Sequence, residues 1–499
     1  MAPFGPWSRA RRAPSPSSSA VQERMRQCTA GPDGRDPARP GAPLAGAVLV
    51  GGAVRDVLLG RMPSDVDWLV PEPEAAARAL ADAWGASLVA LDPDRGHWRV
   101  VVGGPGAPVD DGAGAEEAPS AGPGARTWDL AAPRAASVED DLRHRDLTVN
   151  ALAWRPSDGA LLDPTGGVAD LHARRVRLAG PDALHDDPLR AWRVVRVAAQ
   201  LGFRVERGTR AAVVEAAAAL ADGTLPRPAP ERVGAELDAL LATPVAGRAV
   251  HALDDLGLLA LDLPELTAGR EVRQGPLHHL DVLDHQVEAL HRLVQAFPDA
   301  DLALRWATLL HDVGKPPTRE PGAVGPDGLV LRDRFTGHDR VGADLAAAAL
   351  ERLRRPRARI ARVHALIAAH MRPLPDDERG ARRFVHRLRT LLPDLLQLML
   401  ADREAARGRG ARAAARRGYR ERVGRVLAVL DATPPAPPLL DGRDVMATLG
   451  LTPGPQVGAV LAAVAEAQAL GEVGDRAAAL AYARAFVQAR DGSDRAAPP

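Results

Sequence analysis

Cysteine is all but missing: Cys28 is the single one in 499 residues. A disulfide framework and a cysteine-ligated zinc site are thereby excluded, and the chain is expected in a reducing cytoplasm. Net charge is lacking too. Lys+Arg 64 balances Asp+Glu 64, so no global positive field announces nucleic acid, and any RNA surface must be a local patch. The longest apolar run, Leu44 to Val54, is interrupted by glycines and far too short to span a bilayer. The first residues carry arginines without the apolar core of roughly 7–15 residues that a secretory signal needs. Lysine is the last scarcity. Among the 64 basic residues only Lys315 is lysine, the pattern of a GC-rich genome that has drifted to arginine wherever either charge serves. The survivor is a candidate for a role needing a compact ammonium rather than a planar fork.

The length corresponds to about three domains and buries several cores without staples. Residues 1–43 are rich in Pro, Ser, Gly and Arg without hydrophobic periodicity, and are expected to be a disordered tail. Strands are expected at Ala47 to Val50, Asp65 to Val70, Trp98 to Val102 and Thr127 to Leu130. Helical stretches are expected at Val54 to Leu59 and Pro73 to Trp84. Gly103 to Ala125 is Gly, Pro and acid, a surface excursion. From Asp182 onward strand patterns disappear and 3–4 spacing of Leu, Val and Ala continues to residue 487. The expected fold is α+β: a small α/β head (44–175), then an all-α body comprising a neck (176–268), a domain over 269–405, a basic linker (406–438) and a tail (439–499).

In the head, Gly51-Gly52-Ala53-Val54-Arg55-Asp56 follows a strand and opens a helix. Glycines there let backbone N–H groups approach a triphosphate. Asp65-Val66-Asp67 follows in a strand, where alternation puts both carboxylates on one face, about 7 Å apart. Such a pair is repulsive unless divalent cations sit between them, clamping the oxygens of a phosphoryl transfer. Downstream, Asp187 and Arg190 stand three apart and on a helix would share a face. The carboxylate accepts and the guanidinium donates. Together they would take cytosine and adenine, which present an amino donor beside a bare ring nitrogen, and reject uracil and guanine by roughly 10⁴-fold. The plain alternative is a surface ion pair.

Gly51-Gly52 … Arg55-Asp56 … Asp65-Val66-Asp67 resembles the opening signature of class II tRNA nucleotidyltransferases and bacterial poly(A) polymerases. Glu139 to Ala153 resembles that family's Arg-Arg-Asp segment, which contacts the ribose, although here it reads His144-Arg145-Asp146. Asp186 to Phe203 resembles its templating helix. The resemblance implies a polymerase-beta-like head with Asp65 and Asp67 catalytic and holding Mg²⁺. It assigns nucleotide contacts to Gly51, Gly52, Arg55, His144, Arg145, Asp146, Asn150, Asp187, Arg190, Arg193 and Arg196. It also implies tRNA and CTP as partners, with ATP if the terminal adenosine is added. Family members that add that adenosine carry a flexible loop after the strand of Asp129. Only Leu130 to Val138 separates Asp129 from Glu139 here, which resembles the CC-adding members. Asp129 is either a third carboxylate near the metals or a strand-edge acid.

Pro230 to Leu241 is an amphipathic helix resembling the family's neck, and Leu440 to Val487 resembles its tRNA-binding tail. Between them, His285, His311-Asp312, His338, His370 and Asp402 recur at intervals of 26 to 32 residues in or beside helical patterns. That is the ligand order of HD phosphohydrolases. Imidazoles with carboxylates suit one or two divalent transition metals (Ni, Mn, Co or Fe) that activate water against a phosphoester. Lys315 follows Asp312 by three and could hold a phosphate. Arginines cluster in Arg352 to Arg359 and Arg403 to Arg425, local patches for RNA or plain solvated faces. The leading expectation is a tRNA nucleotidyltransferase that adds CC or CCA to the tRNA 3′ end without a nucleic-acid template, CC being favoured by the short connection, with a competent HD domain. A poly(A) polymerase and a chain working mainly as an HD phosphohydrolase are the alternatives. No membrane and no obligate protein partner are expected.

Overall fold

The computed structural model describes residues 18–494 apart from 40, 64, 104–125, 276, 323–332, 409–411 and 435. The tail's first 17 residues and almost all of the expected excursion lie outside the described residues. The chain divides into two compact units, Met1–Asp262 and Leu263–Pro499.

The first unit opens with α1 (Ser18–Thr29), where a disordered tail was expected. Its Met25 and Cys28 are fully buried, as is Leu44 in the turns that follow. A face only two apolar residues long is invisible to composition, yet Arg126 fixes the segment by donating to the Cys28 carbonyl at 2.6 Å. Burial pushes the Cys28 thiol up to about 11, so it is no reactive thiolate. There follow β1 (Val48–Val50), α2 (Gly52–Leu58), β2 (Asp65–Leu69), α3 (Pro73–Trp84), β3 (Ser87–Asp92), β4 (His97–Val102) and β5 (Arg126–Ala131). Next come α4 (Val138–Arg143), β6 (Ala153–Arg155), β7 (Ala160–Leu162), α5 (Gly167–Ala173), β8 (Arg175–Val176), α6 (Ala183–Asp186) and α7 (Arg190–Leu201). The unit ends with β9 (Arg204–Val205), α8 (Arg207–Asp222), α9 (Pro230–Leu241), α10 (Ala246–Asp255) and α11 (Leu259–Asp262).

Seven strands form one sheet in the order β3-β4-β5-β2-β1-β6-β7. β2 and β5 run parallel, and every other pair is antiparallel. Along β2, Val66 and Trp68 are buried while Asp65 is exposed and Asp67 half-buried. On the covered face Trp68 and Trp128 stack with centroids 6.0 Å apart, and Trp84, the last residue of α3, meets Trp128 edge-on at 4.9 Å. That packing turns the acids of β2 and β5 to the opposite face. Register does the rest. Asp67 pairs with Val50 on one side and with Asp129 on the other, which sets the Gly51 turn beside both carboxylates. One expectation for the body fails in detail: strand structure does not end before Asp182, since β9 pairs with β8 in parallel.

The second unit is helical: α12 (Pro264–Thr267), α13 (Val282–Ala296), α14 (Leu302–Leu310), α15 (His338–Arg352), α16 (Arg357–Ala369), α17 (Glu378–Leu388) and α18 (Asp394–Ala405). After them run α19 (Ala413–Ala432), α20 (Gly442–Leu449), α21 (Pro455–Leu470) and α22 (Arg476–Asp494). Leu290, Leu293, Leu304, Trp306, Val363, Leu366 and Leu395 are fully buried along α13, α14, α16 and α18. The last three helices close over a separate small core of Val445, Val457, Val460, Val464 and Ala479. Among the described residues no helix is long and apolar enough to cross a membrane.

Candidate active sites

The head carries a cavity of about 710 Å³. Its floor is the Gly51-Gly52 turn with Asp67 and Asp129; its walls include Arg55, His144, Arg145, Asp146 and Asn150, then Asp187, Arg190, Arg193, Arg196 and Arg232. Every expected head residue lines it except Asp65, which lies on the same face of β2, is exposed, and accepts from the Thr127 hydroxyl. Gly51 has φ 76°, and a Cβ there would stand 3.1 Å from Arg145 Nη1 and 3.4 Å from Asp67 Oδ2. The positive φ calls for glycine, and a side chain would in addition have to push aside the flexible end of Arg145. Since α2 has only seven residues, approach to a phosphate rests on turn amides more than on a helix dipole.

Burial, and next the neighbouring Asp129 carboxylate, push Asp67 up to about 6, with Arg145 opposing. A carboxyl so placed gains from a cation. Asp129 is the third acid on this face of the sheet, and Arg99 grips it through both oxygens at 2.7 Å. Around them runs a continuous polar chain. Arg55 donates to Asn150 Oδ1 at 2.6 Å, Asn150 to Asp146 at 3.3 Å, and Arg193 to Asp146 Oδ2 at 3.4 Å. Arg193 and Arg196 share Glu236 of α9. Such a network fixes Asp146, which is 9 % exposed, before any ligand arrives. His144 is exposed, its ring bonded at Nδ1 to the Asp140 carbonyl.

Asp187 and Arg190 do not share a helical face. α7 begins at Arg190, and Asp187 is extended, φ −151° and ψ 101°, between α6 and α7. Arg190 donates to the carbonyls of His144 at 2.8 Å and Ala183 at 3.2 Å. Asp187 instead accepts from Arg232 at 2.7 Å. The two line one cavity without touching as an ion pair.

In the second unit all six expected ligands converge. His285 lies in α13, His311-Asp312 just past α14, His338 at the start of α15, His370 just past α16 and Asp402 in α18. Asp312 Oδ2 stands 3.6 Å from His285 Nε2 and 3.2 Å from His311 Nε2. Its other oxygen stands 3.4 Å from His338 Nε2 and 3.8 Å from His370 Nε2. His285 Nε2 also lies 2.9 Å from Asp402. Two groups result, His285–His311–Asp312 and Asp312–His338–His370, each with ligand atoms within 4.8 Å and sharing Asp312.

The donor chemistry fits a metal. Nδ1 of His311, His338 and His370 meets the carbonyl of Thr308, Phe335 and Ile367 at 2.9, 2.7 and 2.6 Å. A carbonyl can only accept, so Nδ1 carries the proton and Nε2 is left with a lone pair. Those three Nε2 atoms are buried without a hydrogen-bond partner. Burial opposes charge on these rings, yet without a cation Asp312 and Asp402 push His311 up to about 10, so its Nε2 would hold a proton that a metal displaces, while burial and then His311 lower His370 to about 4. Gly314 is needed for closure: a Cβ there would stand 2.1 Å from the His338 carbonyl oxygen. Lys315 bonds to Asp312 Oδ2 and to Gln274 Oε1, both at 2.6 Å. Among the described residues no comparably tight ligand group forms in the head.

Residues 47–177 match the Poly A polymerase head domain, 202–269 the family described as "Probable RNA and SrmB- binding site of polymerase A", and 282–407 the HD domain. An A-adding tRNA nucleotidyltransferase of Deinococcus radiodurans is 51% identical over 449 residues, which is 90% of this chain and 97% of that one. The chain belongs to the tRNA nucleotidyltransferase family. A CC-adding tRNA nucleotidyltransferase of Thermus thermophilus is 42% identical over 436 residues, 87% of this chain and 92% of that one. Among solved structures, the Bacillus stearothermophilus CCA-adding enzyme in complex with CTP shares the fold, with TM-score 0.57, 21% identity and coverage of 95% and 97%. The Thermotoga maritima CCA-adding enzyme complexed with tRNA does so at TM-score 0.51 and 19% identity, covering 89% of this chain and 91% of that one. The chain is thus a nucleotidyltransferase with an HD domain, and its relatives' names favour neither a poly(A) polymerase nor a chain that is mainly a hydrolase.

Four residues of this transferase escaped the sequence pattern: Arg99, Arg232 and Glu236 in the head unit, and Gln274 beside the HD cluster. Arg232 and Glu236 stand four apart on one face of α9, a signal that was readable. Arg99 and Gln274 left none, because each acts across the fold. The arginine clusters are partly neutralised: Arg352 pairs with Glu265, Arg420 with Glu404 and Arg422 with Asp376.

Proposed function

We propose that this tRNA nucleotidyltransferase adds one part of the terminal CCA without a nucleic-acid template, using its second unit for phosphoester hydrolysis. The cavity that joins the Gly51 turn, Asp67 and the Asp187/Arg190 region in one space carries the first half of this reading. Asp65 and Asp67 would hold Mg²⁺, which when bound offsets charge between the attacking tRNA hydroxyl and the triphosphate. The turn amides approach the phosphates, Arg145 and Asp146 meet the ribose, and Arg193 with Asn150 keeps Asp146 in place. Asp187 accepts from the base amino group, and Arg190 donates to the ring nitrogen beside it. Arg190→Ala is expected to relax selection, so that UTP or GTP competes with the proper nucleotide in single-nucleotide incorporation. Unchanged preference would remove Arg190 from base reading.

One specificity, rather than a switch from C to A, follows from the short connection after β5. Leu130 to Val138 must finish a strand and enter α4 at Val138, which leaves little slack for a lever that would reposition the base reader. On that ground the enzyme is read as CC-adding. A second reading, A-adding, is favoured by the 51% identity to a relative of that name. The assay offers tRNA ending before CCA, after C and after CC, each with CTP and ATP singly. Addition of two cytidines and poor conversion of the CC end supports the first reading; adenylation of the CC end alone supports the second. Full CCA synthesis by the purified protein overturns both.

For the HD cluster, a divalent transition metal when bound would activate water against a phosphoester. His285, His311, Asp312 and Asp402 would hold one ion, and His338 and His370, with the second oxygen of Asp312, another. Lys315 would exchange its bond with Asp312 for one with a substrate phosphate. Metal content of the isolated protein, read by elemental analysis, is expected to approach two ions per chain at this cluster.

A further inference from the structure

Asp187 and Arg190 are each fixed by something other than the other. Arg190 is spanned by backbone carbonyls, and Asp187 is met by Arg232, forty-five residues on in α9. Arg232 Nη2 donates to Asp187 Oδ2 at 2.7 Å, and Nη1 stands at 3.4 Å from Oδ1. The N–H of Leu189 donates to Oδ1 at 3.2 Å. A carboxylate has about four lone-pair sites, two on each oxygen, so with two donors on Oδ1 and one on Oδ2 the site left to accept is the second lone pair of Oδ2. Asp187 sits on extended backbone between two helices, and the terminal torsion of an aspartate is broad. Without Arg232 the acceptor is free to turn.

We infer that Arg232 is a positioning residue of base selection. It grips the Asp187 carboxylate through both oxygens, so that the second lone pair of Oδ2 is held toward the exocyclic amino group of the incoming base. The inference rests on the reading of Asp187 as the base acceptor. A purely structural tie between α9 and α7 is already supplied one turn on, where Glu236 holds both Arg193 and Arg196. Arg232 is the more exposed of these contacts, its side chain 48% accessible against 9% for Glu236. Arg232 belongs to the same cavity wall as Asp187 and Arg190. A carboxylate that can rotate pays less for a mismatched base, because it turns to water instead of staying unpaired.

The test is a double-mutant cycle on the full chain, with Asp187→Ala, Arg232→Ala, the pair together, and Arg232→Lys. Single-nucleotide incorporation into tRNA gives kcat/KM for each NTP, and the ratio of amino-bearing to carbonyl-bearing base of equal ring count is the readout. Arg232→Ala is expected to lower that ratio about tenfold, chiefly through KM of the proper nucleotide, with Arg232→Lys intermediate. Added to Asp187→Ala, it should lower the ratio no further. The inference is overturned if Asp187→Ala collapses the ratio while Arg232→Ala leaves it at the wild-type value, or if the two losses multiply. If Asp187→Ala itself keeps the ratio, the base-acceptor reading fails and takes the inference with it. Thermal melting accompanies each variant, and Arg232→Gln, which keeps an amide donor, replaces Arg232→Ala should the latter not fold.

Discussion

Asp67→Ala is expected to abolish nucleotide addition to tRNA, by about a thousandfold or more, while HD-dependent hydrolysis continues. The size follows from what the residue does at its position. It is the half-buried acid of β2, the central strand of the sheet, beside Asp129 in register and under the Gly51 turn. Burial and Asp129 already push it up to about 6, a cost that Arg145 offsets in part and that a bound cation would relieve further. Removing a single preorganised donor from a transition state costs roughly 10²–10³ in rate. Removing the group that holds a whole divalent cation costs at least that. Alanine also leaves Asp129 where it is, because Arg99 grips it independently, so the loss cannot be assigned to displacement of the neighbouring acid. Incorporation of labelled CTP and ATP into tRNA, with hydrolysis of a phosphoester measured on the same preparation, makes the check. Near-normal incorporation would remove Asp67 from the metal site. Loss of both activities in a folded protein would sink the separation of the two sites.

Much of the head was legible because local signals agreed with the fold. Pro73 at the first helical turn and Gly85 in the left-handed conformation bound α3 at the expected residues. Pro230 does the same for α9. The glycine turn and the Asp65/Asp67 alternation were readable for a like reason: each is a short-range backbone demand. The Asp187/Arg190 face was misread by treating three-residue spacing as sufficient. Asp187 precedes Pro188, and the proline ring disfavours helical backbone in the residue before it. The chain accordingly extends at Asp187 and starts its helix only at Arg190. Spacing could never have found Arg232 as the partner of Asp187, because that contact is made by tertiary packing of α9 against the α6–α7 link.

The N-terminal segment teaches the converse. Its composition is that of a disordered chain, and still Ser18–Thr29 folds, because Met25 and Cys28, three apart, supply a buried face. Two residues weigh little in a compositional average and much in a packed interface. In the second unit the order of ligands was plain from the sequence, whereas the division of labour was not. Folding alone brings about that division, with one Asp312 oxygen turned to His285 and His311 and the other to His338 and His370.

That sharing sets the second large effect. Asp312→Ala is expected to eliminate metal-dependent phosphoester hydrolysis and to lower metal content by more than one ion per chain, with nucleotide addition close to normal. Asp312 is 1% exposed, and although burial alone would raise its pKa, His311 and Lys315 hold it well below the usual carboxylate range. It is therefore the fixed negative charge against which four imidazoles are oriented. Without it each group of ligands keeps two rings at most from its own side, and only the first retains an acid, Asp402. His370→Ala supplies the contrast. It empties one side of the shared carboxylate and leaves His285, His311, Asp312 and Asp402 in place, so one ion should be retained and hydrolysis reduced rather than lost. Elemental analysis separates the cases directly: near zero for Asp312→Ala, near one for His370→Ala, near two for the parent. Equal metal content in Asp312→Ala and His370→Ala would show that Asp312 serves one ion alone, and the two-ion arrangement would have to be abandoned.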